Sequence, residues 1–178
     1  FEHMDTFQVS VIIPVYNAAS FVTQAVESAL SQAETAEVIL IEDGSPDDSL
    51  AVCQSLAEKY EKVRLLRYPG GENRGAGASR NLGMKNAKFN YIAFLDADDY
   101  YLPGRFAVTK KIFESDPKCD GVYEAMGIHF ESELVERKWR ESHMAKIDMT
   151  TLMKKVSPEQ LFKLLVNGGA GYFSICGL

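Results

Sequence analysis

Apolar strands and amphipathic helical patterns alternate along the first hundred residues of this chain. Val9-Ser-Val-Ile-Ile-Pro-Val15 is a β-branched run that predicts a strand. Asn17 and Ser20 offer helix caps, and Phe21, Val22, Ala25, Val26, Ala29 and Leu30 then recur at helical spacing. Val38-Ile-Leu-Ile41 predicts a second strand. Ser45-Pro-Asp-Asp48 predicts the start of a second helix, with Pro and acids in its first turn. Leu50, Cys53, Ala57 and Tyr60 give that helix an apolar stripe. Val63-Arg-Leu-Leu66 predicts a third strand, and the glycine-rich Gly70–Gly77 leads into a third helix ending near Ala87. Tyr91-Ile-Ala-Phe-Leu95 predicts a fourth strand.

The pattern then changes. Leu102–Ser115 reads as a helix, Gly121–Phe130 as a strand, and 131–149 as a charged, solvated loop or helix face. Ser157-Pro-Glu-Gln160 has the form of a capping box with Pro at the first helical position, opening a helix to about Val166. Tyr172–Cys176 reads as a short strand. No internal repeat or low-complexity linker is visible.

Continuous apolar strands separated by helices imply a parallel sheet covered on both faces. Ligands of such sheets bind beyond the carboxyl ends of the strands. Here those ends are polar: Pro14-Val-Tyr-Asn17, Glu42-Asp-Gly-Ser45 and Asp96-Ala-Asp-Asp99 should meet at one rim. Carboxylates that close repel one another, so a positive partner is expected among them.

Composition narrows the classes. The 178 residues suit one domain with a real core, and 46% hydrophobic content makes it globular. A net charge of −6 argues against a nucleic-acid partner, whose domains show a basic face. No apolar run reaches the roughly 18 residues of a membrane span, and no secretory signal pattern is present. Phe1-Glu-His-Met4 is left out of the fold reading as a lead-in. Cys53, Cys119 and Cys176 are odd in number and far apart, which favours buried thiols in a reducing compartment over disulfides or a zinc knuckle.

Four stretches, "VSVIIPVYN", "IEDGSPDDS", "NRGAGASRNLG" and "FLDADD", occur in that order at the strand ends. Together they resemble the inverting nucleotide-sugar glycosyltransferases of family 2, whose fold is called GT-A; "YFSICGL" adds a weaker match. The resemblance implies an α/β fold of the GT-A type: a Rossmann-like, mostly parallel sheet with helices on both faces. It implies a donor half at 1–100 and the beginning of an acceptor half at 101–178, within one structural domain.

The same resemblance implies site residues. Pro14 and Tyr16 would lie against a uracil-like base, Tyr16 through packing or its backbone. Asp43 would accept the imide N–H of that base. Arg80 would pair with a phosphate or with an acid of the site, and Arg74 is a weaker second candidate. Asp96-Ala-Asp98 matches the family's DXD motif, so Asp98 would be the principal ligand of Mg²⁺ or Mn²⁺ with Asp96 in support. Strand alternation would point both to one side, and Asp99 would cap the next helix. The implied partners are a nucleotide-sugar donor, here UDP-linked, and a carbohydrate or lipid-linked hydroxyl acceptor. The expected location is cytoplasmic, or peripheral at the inner face of the membrane.

An inverting transfer also needs a base for the acceptor's proton. The family's base is an Asp or Glu beyond the segment resembling "YFSICGL", and no carboxylate follows Glu159. His129 and His143 read as plain histidines, so the catalytic base is left unknown. The expectation is a chain cut short at its carboxyl end, which holds nucleotide and metal without turnover and self-associates through Tyr172–Leu178. Two rival readings fit worse. An aspartyl-nucleophile phosphatase begins its domain with Asp-x-Asp, and a dinucleotide oxidoreductase needs its glycine motif after the first strand.

Overall fold

The computed structural model describes residues 7–122, 128–130, 132–142 and 157–166, which fall into two compact units divided after Val122. In the first unit, strands β1 (Val9–Val15), β2 (Thr35–Glu42), β3 (Val63–Arg67) and β4 (Tyr91–Phe94) alternate with helices α1 (Val22–Leu30), α2 (Ser49–Lys59), α3 (Ala76–Asn86) and α4 (Ala107–Ser115). The sheet order is β3-β2-β1-β4, and every pairing is parallel.

The period-two pattern of β1 divides the core. Val9, Val11, Ile13 and Val15 pack with Val22, Ala25, Val26 and Ala29 of α1 and with Cys53 and Leu56 of α2. Ile12 turns the other way and joins Ile39, Ile41, Phe94 and Leu82 of α3. Both faces are therefore covered, as a parallel sheet requires. Helix α3 lies so close that a Cβ on Gly83 would sit 2.4 Å from Ile12 Cγ2.

The amino ends of the strands are tied by one buried acid. Glu37 accepts from Ser10 Oγ at 2.8 Å, from the Lys88 amide at 2.7 Å and from Arg64 Nη1 at 2.8 Å. Burial opposes its charge, but the Lys88 amide, Arg64 and Ser10 together hold its carboxyl below the usual range. Ser10 and Glu37 also face each other in the β1–β2 register, so the polar knot fixes that register.

Several boundaries differ from expectation, each for a visible reason. Strand β2 begins at Thr35 rather than Val38, because Glu37 finds its partners inside the sheet. Neither Asn17 nor Ser20 caps α1: the turn that begins at Ala18 runs into the helix, and the Phe21 and Val22 amides both donate to Ala18 O at 3.0 Å. Helix α2 starts only at Ser49, so Pro46, Asp47 and Asp48 precede it. Helix α4 starts at Ala107, five residues later than Leu102. Pro103 disfavours helical backbone at Leu102, and Gly104 takes φ +76°. Asp99 therefore lies too far upstream to cap α4, whose flanking residue is Phe106. Cys53 is buried as expected, but Cys119 is only half-buried, and Cys176 lies outside the described residues.

In the second unit, α5 (Glu133–Glu141) buries none of its residues, which matches a solvated helix face. Ser157 and Gln160 form the expected reciprocal cap on α6 (Pro158–Val166), with bonds of 3.0 and 3.2 Å. The expected strand over 121–130 does not form at 121–122 or 128–130; its middle, and the expected strand Tyr172–Cys176, lie outside the described residues. Among the described residues no helix is long and apolar enough to cross a membrane.

Candidate functional site

A cavity of about 280 Å³ opens at the carboxyl ends of β1, β2 and β4. Pro14, Tyr16, Asp43, Arg80, Asp96 and Asp98, six of the residues singled out in the sequence, line it. A roomier cavity of about 660 Å³ lies by Tyr91, Phe94, Phe113 and Cys119 at the edge strand, but it gathers no comparable chemistry.

The loop after β1 forms one wall. Tyr16 is 54% exposed there, and Asn17 adopts φ +52°, a left-handed conformation that asparagine tolerates better than most residues. Three consecutive amides of this loop donate to side chains of the β2–α2 loop and of the first residue of α2. Asn17 N donates to Ser45 Oγ (3.2 Å), Ala18 N to Ser49 Oγ (2.9 Å) and Ala19 N to Asp47 Oδ2 (3.0 Å). Asp47 Oδ1 also accepts from the Ser49 amide at 3.1 Å. The bonds from Ser49 and from the Ala19 amide keep its carboxyl below the usual range.

Asp43 is buried, and its two oxygens accept from the Arg74 and Gly75 amides of the glycine-rich loop, each at 2.8 Å. That loop passes close by: a Cβ on Gly44 would meet Gly71 O at 2.6 Å and Asn73 N at 2.8 Å. Glu42 does not line the cavity. It accepts from the Ser45 amide at 2.6 Å and pairs with Arg67 at 2.5 Å. Burial works against its charge, but the Ser45 amide and Arg67 hold its carboxyl below the usual range.

Arg80 projects from α3 and donates from Nη2 to Asp96 Oδ1 at 2.5 Å. Its Nε is buried without a partner, so among the described residues Asp96 alone orients the guanidinium by hydrogen bonding. Asp96 and Asp98 both face the cavity, though not through strand pleating. Strand β4 ends at Phe94, and the two acids sit in a turn closed by the Asp99 amide on Asp96 O at 3.0 Å. Among the described residues nothing donates to the Asp98 carboxylate. The neighbouring Asp99 carboxyl is pushed up by burial first, then by the charges of Asp98 and Asp96.

Arg74 does not line the cavity by its side chain. It stacks 4.3 Å from the Tyr68 ring and pairs with Glu72. Asn17, Ala18, Phe21 and Ala76 line the cavity without having been singled out. Phe21 was read as part of an apolar helix face, yet it is 41% exposed. Its position just after a first strand that feeds the rim was the available signal. His129 is exposed, and His143 lies outside the described residues.

A four-stranded parallel sheet with this order and a polar rim at its carboxyl ends has the architecture of GT-A glycosyltransferases. Residues 10–165 match glycosyl transferase family 2, and the chain belongs to that family. An uncharacterised glycosyltransferase of Rickettsia prowazekii is 32% identical over 158 residues, 88% of this chain and 46% of that protein. The succinoglycan biosynthesis protein ExoU of Rhizobium meliloti is 41% identical over 97 residues, 54% of this chain and 28% of its own length. Among solved structures, S. aureus TarS in complex with UDP-GlcNAc superposes with a TM-score of 0.59 at 23% identity, covering 70% of this chain and 36% of that one. The mannosyltransferase PcManGT from Pyrobaculum calidifontis, in complex with GDP-Man and Mn²⁺, gives 0.58 at 22% identity, covering 67% and 36%. Those two likenesses establish the fold. The chain spans less than half the length of these relatives.

Proposed function

We propose that this chain carries the donor site of a glycosyltransferase that moves a sugar from a nucleoside diphosphate, UDP in the first instance, to a hydroxyl acceptor such as a growing polysaccharide or glycolipid. The observation that supports this most is the meeting of Asp43, Arg80, Asp96 and Asp98 in one cavity at the rim of the sheet. Tyr16 and Pro14 offer a wall for the base, and the buried Asp43 carboxylate a charged acceptor for a ring N–H. Arg80 fixes Asp96 and brings a positive charge toward the diphosphate.

The donor set suits Mg²⁺ or Mn²⁺. Asp98 has a carboxylate without a partner among the described residues and Asp96 a second one beside it, both hard oxygen donors. Among the described residues no group of three or more candidate ligands exists. The remaining positions would fall to water and substrate phosphates, as is usual for Mg²⁺. When bound, the cation supplies neutralisation of the departing diphosphate.

In the transfer, the acceptor oxygen attacks the anomeric carbon from the face opposite the diphosphate, and the bond to the diphosphate oxygen breaks with inversion. The acceptor's proton passes to a base that we assign to no residue of this chain. Titration calorimetry with UDP, with and without Mn²⁺, tests the donor site: binding strengthened by Mn²⁺ is expected, and no binding of any nucleoside diphosphate overturns it.

A further inference from the structure

We infer that Asp47 is a positioning residue of the donor cavity, acting through the backbone of the loop after β1 and touching no substrate itself. The inference rests on the donor-site reading above and extends it to a residue outside the cavity wall.

The loop that follows β2 grips both of the other loops at the rim. On one side the Asp43 carboxylate holds the Arg74 and Gly75 amides. On the other, Ser45, Asp47 and Ser49 hold the amides of Asn17, Ala18 and Ala19 in sequence. Those three residues enter a loop with a left-handed turn at Asn17, and Asn17 and Ala18 line the cavity directly. Of the three gripping side chains, Asp47 alone is ionised. It is also bidentate, with one oxygen on Ala19 N and the other on the Ser49 amide. It thereby sets the position of Ser49, whose hydroxyl holds Ala18. Charge-assisted bonds to backbone N–H groups are about twice as strong as neutral ones. Losing Asp47 should release two of the three loop amides together and let the wall at Tyr16–Ala18 drift from the Asp43 side. Asparagine at this position keeps one acceptor oxygen, so it should hold one of the two amides.

The test combines nucleotide affinity with amide hydrogen exchange on the whole 178-residue chain. For Asp47→Ala, UDP binding should weaken about tenfold, the order expected for one charge-assisted bond. Exchange at Asn17, Ala18 and Ala19 should speed up while the β1 amides of Val11 and Ile13 keep their protection. Asp47→Asn should fall between wild type and Asp47→Ala in both measures. The inference is overturned if Asp47→Ala binds UDP like the wild type. It is equally overturned if affinity falls only along with protection across β1, because the effect is then loss of fold. If the wild-type chain itself binds no nucleoside diphosphate, the donor-site reading fails and this inference with it, an outcome separate from the other two.

Discussion

Arg80 and Asp96 form an ion pair at 2.5 Å inside the cavity, with the guanidinium largely buried and the carboxylate about one-third exposed. The pair sets two roles in competition. Asp96 cannot give its full charge to a cation while Arg80 holds one oxygen, and Arg80 cannot turn all its donors to a phosphate. Arg80→Ala should therefore separate the roles. The variant should bind Mn²⁺ alone more tightly, because Asp96 loses the guanidinium that holds one of its oxygens. It should bind UDP more weakly by about 1.5–3 kcal/mol, the usual value of a hydrogen bond to a charged group. Calorimetry of the ion and of UDP separately reads both; weaker Mn²⁺ binding would contradict this account.

Asp98 is exposed, and its carboxylate has no partner among the described residues. Asp98→Ala should thus leave the fold's stability within about 0.5 kcal/mol, as for other surface sites. The same change should remove the Mn²⁺-dependent part of UDP binding. Denaturant unfolding and calorimetry check the two halves. Wild-type Mn²⁺ enhancement in the variant would take Asp98 out of the metal site.

At the opposite rim, Glu37 supports the fold alone. Its carboxyl is held below the usual range, so its stabilising share is fully present above the unfolded-state value near pH 4.3. That share is lost as pH falls through the lowered folded-state value. Glu37→Gln should flatten the fall in stability below about pH 4. It should also cost about 2–4 kcal/mol at pH 7, since Arg64 is left half-buried without its acid. Chemical unfolding across pH 3–7 gives both quantities; parallel curves for the two proteins would remove Glu37 as the cause.

Gly83 and Ile12 offer a test of packing. An alanine at 83 gains helix propensity of roughly 1 kcal/mol, but its Cβ would meet Ile12 Cγ2 at 2.4 Å. Overpacking should win, with a net loss of about 1–3 kcal/mol. Combining Gly83→Ala with Ile12→Ala should cost less than the sum of the two changes, by at least about 0.5 kcal/mol. Additive losses would mean that α3 relaxes away from the sheet instead.

The rim was legible in the sequence because a parallel sheet sends every strand's carboxyl end to one side, and Asp43, Asp96 and Asp98 lie within three residues of the end of an apolar run. Local signals misled where tertiary partners take over. Asp47 and Asp48 look like acids of a first helical turn, yet the helix begins at Ser49 and Asp47 serves the amide of Ala19, 28 residues away. Such a bond leaves no trace in local spacing. Leu102 fits a helical stripe, but Pro103 and the left-handed Gly104 delay the helix to Ala107. Rim acids that seemed to demand one shared cation are largely met by protein groups instead. Glu42 has Arg67, Asp43 has two amides and Asp96 has Arg80.

Under the proposed donor site, base selectivity would rest on Asp43. Both of its oxygens already accept a backbone amide at 2.8 Å, which fixes the carboxylate in place. Each oxygen keeps acceptor capacity for a further donor. Uracil and guanine carry a ring N–H that can supply one, whereas adenine and cytosine present a bare ring nitrogen that would face the carboxylate with a lone pair. UDP should therefore bind more tightly than CDP by about 1.5–3 kcal/mol, with GDP retaining part of that advantage and ADP none. Asp43→Asn should erase the difference between UDP and CDP. It should also weaken both, because the amide NH₂ cannot accept from the Arg74 or Gly75 N–H and the glycine-rich loop loses one anchor. Competition calorimetry with the four diphosphates on wild type and variant measures each term. Equal affinity for UDP and CDP in the wild type would leave Asp43 as a loop anchor only, and base choice would then rest on the wall formed by Pro14 and Tyr16.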